Sequence, residues 1–394
     1  MRIGGIICEC NPLHDGHLRL IRSARADGCA CLIAVLSDPF TQRGEPALLD
    51  ARARAEALCR SGVDLVLSLP FPYAAASAEF FARAGVDILS RAGVGELWFG
   101  SECGDLSALR AAARATQSDA FRLAYRGSAP NEGRAAAFLS TLQELAGLSF
   151  SPSSNDLLGI AYLSAIDELG LPIEPRTLRR EGNAYRDERL SPDRLPSATA
   201  LRAALQAGAS PSHLSGLADA ARAPLLEAME QGLAPATLKN AERALLSALR
   251  LLDPARADET PELSDGLGRR LISAAAQADS IEQLLARTAD KRHTLARVRR
   301  GILFALCGVT REDLRSSPPW VRLLAANEKG RAQLAFLRRT GRLSVLTKAA
   351  DLPPEPAAKR AAELEEAAYA LWSLTLPRAA TAGEFLRLPP RILK

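Results

Sequence analysis

The chain has 394 residues, 47% hydrophobic and 24% charged, with a net charge of +5; that length fits two domains with sizeable interiors, and that balance excludes disorder. The longest purely apolar run, "CACLIAVL" from Cys29 to Leu36, is far short of the roughly 20 residues that span a bilayer. With no secretory-type apolar core at the N-terminus, no membrane is expected and a cytoplasmic location is.

The N-terminal part alternates strand-like and helix-like segments. "RIGGIICEC" reads as a strand, "GHLRLIRSARADG" as an amphipathic helix closed by Gly28, and "CACLIAVLS" as a second strand. "DPFTQRGEPALL" is too rich in Pro and Gly to be regular. Asp50 caps the helix "ARARAEALCRSG", and "VDLVLSLP" is an apolar strand stopped by "PFPY". Helix "SAEFFARAGVDILSRAG" and strand "VGELWFGSE" follow. Strands this apolar need cover on both faces, which predicts an α/β fold with a doubly wound parallel sheet. A helical insertion near 104–150 is interrupted by the turn-like "GSAPNEG". Next come the loop "SFSPSSND", helix "LLGIAYLSAIDELG", strand "LPIEPRTLR", the irregular "REGNAYRDERLSPDRLP", and helix "SATALRAALQAG", capped by Ser197. Beyond about Ala207 the pattern is helical to the end. The expected domains are therefore 1–207, built on the sheet, and 208–394, all helical.

Seven cysteines, an odd number, argue for free thiols in a reducing compartment. Cys8 with Cys10 and Cys29 with Cys31 alternate along strands, where cysteine serves as a small hydrophobe, and no metal-ligand set is read from them. From Lys291 onward, 20 Lys and Arg face 9 Asp and Glu, so the basic charge is concentrated at the C-terminal end. Such a surface suits a polyanion as readily as solvent.

In a doubly wound sheet, ligands bind beyond the carboxyl ends of strands, where helix N-termini attract anions. "NPLHDGH" falls there: Pro12 ends the strand, Gly16 lets a ligand approach the backbone, and His14 and His17 are placed to donate hydrogen bonds to a phosphate. Strand, Pro, H-x-G-H and helix together resemble the HIGH-type nucleotidyltransferase superfamily, in which the α-phosphate of ATP is attacked and pyrophosphate leaves. "SATALR" matches its second signature, with Ser197 and Thr199 at a helix start and Arg202 one turn on. More narrowly, "ECNPLHDGH", "TQRGEPALLDARARAEAL", "GVDLVLSLPFPYAAASAEFFA", "LWFGSE", "SNDLLGIAYL", "SATALR", "KRHTLARVRRGIL" and "PPWVRLLAANEKGRAQL" resemble the bacterial tRNA(Met) cytidine acetate ligases.

That resemblance implies an enzyme that joins acetate to AMP at the expense of ATP, with Mg²⁺ accompanying the nucleotide. The acetyl group then passes to the exocyclic amine of the wobble cytidine of elongator tRNA(Met). It implies His14 and His17 as catalytic residues. It implies an ATP site lined by Ile7, Cys8, Glu9, Cys10, Asn11, Pro12, Leu13, His14, Asp15, Gly16, His17, Leu18, Arg19 and Leu20, with Gly100, Asn155, Arg179, Arg180, Ser197, Thr199 and Arg202. Taken singly, Gly100, Asn155 and the Arg179–Arg180 pair read equally as a strand-end turn, a helix cap and solvated charges. Gln42, Arg43 and Glu45 are expected near the rim of the site. Lys291, Arg292, Arg297 and Arg300 are expected to meet tRNA phosphates. The chain departs from the family where an aromatic usually precedes "NP" and Cys10 stands, where "SDPF" replaces Ser-Gly-Asn-Phe, and where His293 replaces Tyr. The competing readings are an adenylyltransferase for a small phosphorylated metabolite, which needs no basic helical half, and a non-catalytic RNA-binding relative. No K-M-S-K-S-like loop supports an aminoacyl-tRNA synthetase.

Overall fold

A computed structural model describes residues 1–148, 150–180 and 196–393. Most of the segment expected to be irregular, residues 181–195, lies outside the described residues.

The strands are β1 (Ile3–Cys8), β2 (Cys31–Ser37), β3 (Leu65–Leu69), β4 (Glu96–Ser101), β5 (Glu174–Arg179), β6 (Val321–Ala326), β7 (Val345–Leu346) and β8 (Arg391–Ile392). Between β1 and β5 lie α1 (Asp15–Ala26), α2 (Ala51–Arg60), α3 (Ala78–Arg91), α4 (Leu106–Gln117), α5 (Asp119–Glu132), α6 (Arg134–Ala146) and α7 (Ser154–Glu168). After β5 come α8 (Ala198–Gln206), α9 (Asp219–Glu230), α10 (Glu242–Arg250), α11 (Pro254–Glu259), α12 (Leu267–Gln277), α13 (Ile281–Thr288), α14 (Leu295–Cys307), α15 (Arg311–Arg315), α16 (Glu328–Thr340), α17 (Pro356–Ser373) and α18 (Ala382–Leu386).

The sheet runs β5-β4-β1-β2-β3-β6-β7, with β8 also on β6, and β1 to β5 are mutually parallel where they pair. Alternation along β2 shows why helices cover both faces. Cys31, Ile33 and Val35 enter one core with α3 and α7, while Leu32, Ala34 and Leu36 enter the other with α1, α2, α8 and α9. The doubly wound expectation is borne out.

Two stretches differ most from the sequence pattern, and the part expected to be all helical also contributes the two-residue strands β7 and β8. "VRLLAA", within the part expected to be helical, is β6, antiparallel to β3 with Leu65 opposite Ala326 and Val66 opposite Ala325. All six of its residues are buried; a short apolar run without alternation does not distinguish a doubly covered strand from a buried helix. "GSAPNEG" does not break the insertion where its composition predicts, because α5 continues to Glu132 and the chain turns only at Gly133, whose φ is 84°. A Cβ there would stand 2.5 Å from Cα of Arg292, so the missing side chain lets the insertion touch the turn before α14.

Beyond the sheet, Leu245, Leu249, Leu271, Leu284, Val298 and Ile302 form a helical core. A second cluster, with Phe40, Phe71, Phe304, Tyr369 and Trp372, joins α14 and α17 to the loops that leave β2 and β3. Among the described residues, no helix is long and apolar enough to cross a membrane.

Candidate active site

The chain leaves β1 in one direction to β2 and β3 and returns on its other side to β4 and β5, so the topological switch point lies between β1 and β4. The segment after β1 fills that crevice. His14 is the N-cap of α1: its Nδ1 accepts from the Gly16 amide at 3.0 Å, while the His14 amide donates to Nδ1 of His17 at 3.3 Å. A backbone amide can only donate, so both Nδ1 atoms are acceptors and a neutral ring must carry its proton on Nε2. Burial, then the charges of His17, Arg180 and Arg202, hold His14 well below its ordinary value; burial and then Arg180 push His17 down to about 3. The result is two neutral imidazoles, ring centroids 4.0 Å apart, each with an Nε2–H donor at a helix N-terminus. Gly16 is required because a Cβ would lie 2.7 Å from Cε1 of His14. The segment is also pinned from outside, since the Asp15 amide donates to the Gly216 carbonyl and the Ala218 amide to the Leu13 carbonyl, both at 3.1 Å.

The second half-motif meets the first directly. Ser197 caps α8 by accepting from the Ala200 amide at 3.1 Å. Arg202, nearly buried, donates from Nη1 to the Asn11 carbonyl at 2.9 Å and from Nη2 to Thr199 Oγ1 at 3.1 Å. From the β4 side, Glu102 accepts from Asn155 Nδ2 at 2.6 Å and from the Ser153 hydroxyl, and lies 3.7 Å from Arg180 Nε. Arg180 lies along Gly100, where a Cβ would stand 3.1 Å from its Cγ. The site thus has a donor floor of two imidazoles and cationic walls, an arrangement suited to a polyphosphate. Among the described residues, no group of three or more His, Cys, Asp or Glu side chains is arranged to hold a metal ion.

A family model described as HIGH Nucleotidyl Transferase matches residues 1–384. The tRNA(Met) cytidine acetate ligase of Syntrophotalea carbinolica is 34% identical over 99% of this chain and 95% of its own length. That of Syntrophomonas wolfei is 32% identical over 97% and 96%. The chain belongs to the tRNA(Met) cytidine acetate ligase family. The crystal structure of Thermotoga maritima TmcAL in its apo form I resembles this fold with a TM-score of 0.92, and form II, bound with α-thio ATP, with 0.88. Both are 29% identical and matched over 100% of both chains.

Within this ligase-family fold the expected site residues separate into groups. His14, Gly16, His17, Gly100, Asn155, Arg180, Ser197, Thr199 and Arg202 are brought together, partly through Glu102. Ile7 instead packs on Gly85, and Leu13, Leu18 and Leu20 join the core under α1 and α2. Arg179 is exposed and lies against Gly104, away from its neighbour's side of the strand. Cys10 is buried with φ of 44°, a left-handed turn that redirects the chain at the strand end. Of the four cations expected to meet RNA, Lys291 and Arg292 are exposed. Arg297 is buried and donates to the Glu262 carbonyl at 2.8 Å, and Arg300 pairs with Glu262 at 2.9 Å; both hold the 262–265 turn in place.

Sequence reasoning missed Glu102, although its position just past β4 is the same kind of signal that singled out Asn11 to His17. It also missed Arg54, which is buried and ties the strand ends together by donating to the carbonyls of Glu9, Ser37 and Leu49 at 2.7, 2.9 and 3.0 Å. Replacing Arg202 with Lys is expected to slow the first reaction step about tenfold, because one ammonium cannot hold both Asn11 and Thr199 as the planar fork does. ATP–pyrophosphate exchange kinetics on the folded variant check this.

Asp38, which departs from the family pattern, is fully buried: it accepts from the Tyr369 hydroxyl at 2.5 Å and faces Arg322 at 3.8 Å. Glu365 joins the same cluster, 3.7 Å from Arg322, and burial and then the Asp38 charge push its carboxyl up to about 8. A carboxyl raised on folding contributes stability that is complete below its ordinary value of about 4.5 and lost as pH rises through about 8. The Glu365 contribution should therefore fall between these limits, by at most about 1.4 kcal/mol per pH unit, and below 6.5 it is opposed by the rising contribution of His17. Urea melts between pH 6.5 and 8, above the range in which His17 contributes a slope, should show a flatter profile for Glu365→Gln.

A groove of about 750 Å³, lined among others by Glu328, Arg331, Arg338 and Ile392, lies at the end of β6 that abuts the amino ends of the parallel strands. It is therefore at the opposite edge of the sheet from the histidines.

Proposed function

We propose that the protein is an ATP-dependent ligase that activates acetate as acetyl-adenylate and acetylates the exocyclic amine of the wobble cytidine of elongator tRNA(Met), in the cytoplasm. The observation that carries this reading is the pair of neutral histidines with Nε2–H donors at the N-terminus of α1, on the switch point of the sheet. The activity for which the relatives are named supplies the tRNA, the cytidine and the acetate.

An acetate oxygen attacks the α-phosphorus of ATP, the bond to the β-phosphate bridging oxygen breaks, and pyrophosphate leaves. The histidine donors meet charge that builds on the α-phosphoryl oxygens, where fixed donors act without reorganising. Arg180 and Arg202 supply positive charge beside them without a proton being moved. The cytidine amine then attacks the acetyl carbonyl, AMP departs with the electron pair of the broken acyl–oxygen bond, and the amine proton is lost to solvent. Mg²⁺, if it accompanies the nucleotide, would be held by the nucleotide and not by a cluster of His, Cys, Asp or Glu side chains among the described residues, and would supply charge neutralisation for the departing pyrophosphate. Residues 1–207 act as the catalytic part and 208–394 as the tRNA-binding part, with Lys291 and Arg292 offered to phosphates at its surface.

The test is incubation with MgATP, labelled acetate and total bacterial tRNA, followed by nucleoside analysis. Label is expected in N4-acetylcytidine alone. Absence of label from every nucleoside, with ATP–pyrophosphate exchange supported instead by a phosphorylated metabolite, would favour the small-molecule adenylyltransferase.

A further inference from the structure

Loop 41–46 touches both halves of the molecule. At its start the Gln42 amide donates to the Glu9 carboxylate at 2.8 Å, just beyond β1. At its tip Gly44 has φ of 70°, and a Cβ there would stand 2.7 Å from the Arg300 amide, so the loop lies directly on the backbone of α14. Arg300 donates to the Gln42 carbonyl at 3.3 Å. Between these contacts, the Glu45 carboxylate places Oε1 2.9 Å from Nη1 of Arg299 and Oε2 3.5 Å from Nη2 of Arg202. One carboxylate is thus shared by a guanidinium of the phosphate site and a guanidinium of the helical half.

We infer that Glu45 is a positioning residue for the adenylation step, acting through Arg202, and that Arg299 sets how far it does so. This rests on the reading of Arg202 as a phosphate ligand. Arg202 is oriented by Asn11, Thr199 and Glu45 together, while Glu45 also neutralises part of the charge that a phosphate would meet. Arg299, at the shorter distance, draws Glu45 away from Arg202. The charges have definite signs, so the consequences do too. Removing the Glu45 charge leaves Arg202 more positive but less well aimed: nucleotide affinity holds or rises while turnover falls. Removing the Arg299 charge lets Glu45 move fully onto Arg202, which weakens nucleotide binding. Arg299 has no effect on the site once Glu45 is gone.

The experiment compares Glu45→Gln, Arg299→Met and the double variant with the parent by calorimetric ATP binding and by ATP–pyrophosphate exchange with acetate. Met keeps the aliphatic stem against Gly44. For Glu45→Gln we expect kcat to fall about tenfold with ATP Kd unchanged or lower. For Arg299→Met, Kd should rise several-fold, and the double variant should match Glu45→Gln. Parallel loss of affinity and turnover in Glu45→Gln would mean simple structural damage and would overturn the inference, as would additive effects in the double variant. If the parent shows no acetate-dependent exchange, the proposed function fails and the positioning role falls with it, while the order of ATP affinities still decides whether Arg299 and Glu45 set the charge met at Arg202. Thermal melts accompany each variant, and the signed affinity order is an outcome that unfolding cannot produce.

Discussion

Replacing His14 or His17 with Asn is expected to slow ATP–pyrophosphate exchange about 10²- to 10³-fold each, the usual loss when a fixed donor to a developing oxyanion is removed. Asn is chosen because its side-chain oxygen can still accept the amide bond that Nδ1 now accepts. The helix cap is thereby kept, while no donor remains at the place of Nε2. Stability should change by about 1 kcal/mol or less, so a folded but slow enzyme is the expected result. A variant that loses exchange only because it unfolds would show it in its melting curve. The pH dependence adds an independent check. Because His17 is held down to about 3, the acid limb of kcat/KM for the free enzyme should show no histidine ionisation near 6.5. In stability the sign is equally fixed: neutral His17 contributes fully above its ordinary value of 6.5, and that contribution is lost as pH falls toward about 3. The His17→Asn variant lacks this acid-side slope.

The largest loss of stability is expected from Gly330→Ala. A Cβ at this position in α16 would stand 1.9 Å from the carbonyl oxygen of Asp64. That carbonyl cannot retreat, because it accepts from the Asn327 amide at 3.0 Å, and the Asp64 side chain is held by the Leu32 amide at 2.8 Å, by Asn327 Nδ2 at 2.8 Å and by Arg25. The helix must therefore lift from β3 and disturb β6 with it. Overpacking of this kind costs about 3 kcal/mol or more when backbone meets backbone. Denaturant melts of the two proteins give the number directly, and a change within about 0.5 kcal/mol would show that α16 can slide freely.

Much of the fold was legible because the early strands are too apolar for a half-exposed sheet, and because Gly, Pro and Asp punctuate them at the right places. The histidine pair was legible for a related reason: its meaning comes from its place after the first strand. What escaped is tertiary. "VRLLAA" carries no period that separates β6 from a buried helix. A count of cations did not reveal that Arg297 and Arg300 face Glu262 while Lys291 and Arg292 face solvent, since partners distant in sequence decide which basic residues remain exposed. Glu102 and Glu45 acquire roles only once Arg180, Arg202 and Arg299 converge on them. Asp38, which by sequence is only a departure from the family pattern, is met by Tyr369 and Arg322 from the C-terminal half.

The antiparallel strand β6 also sets an order of events during synthesis. Ser68 on β3 accepts from the Arg322 amide, 254 residues later in the chain. As the polypeptide leaves the ribosome, β3 emerges with one edge unpaired and stays so until β6 has been made. The nascent sheet is then a sticky, incomplete surface, and the halves assigned to nucleotide and to RNA cannot be separated at residue 207 into independent modules. A gene fragment ending there should yield insoluble protein, and any natural fusion or split of this enzyme would have to carry β6 along with the nucleotide site.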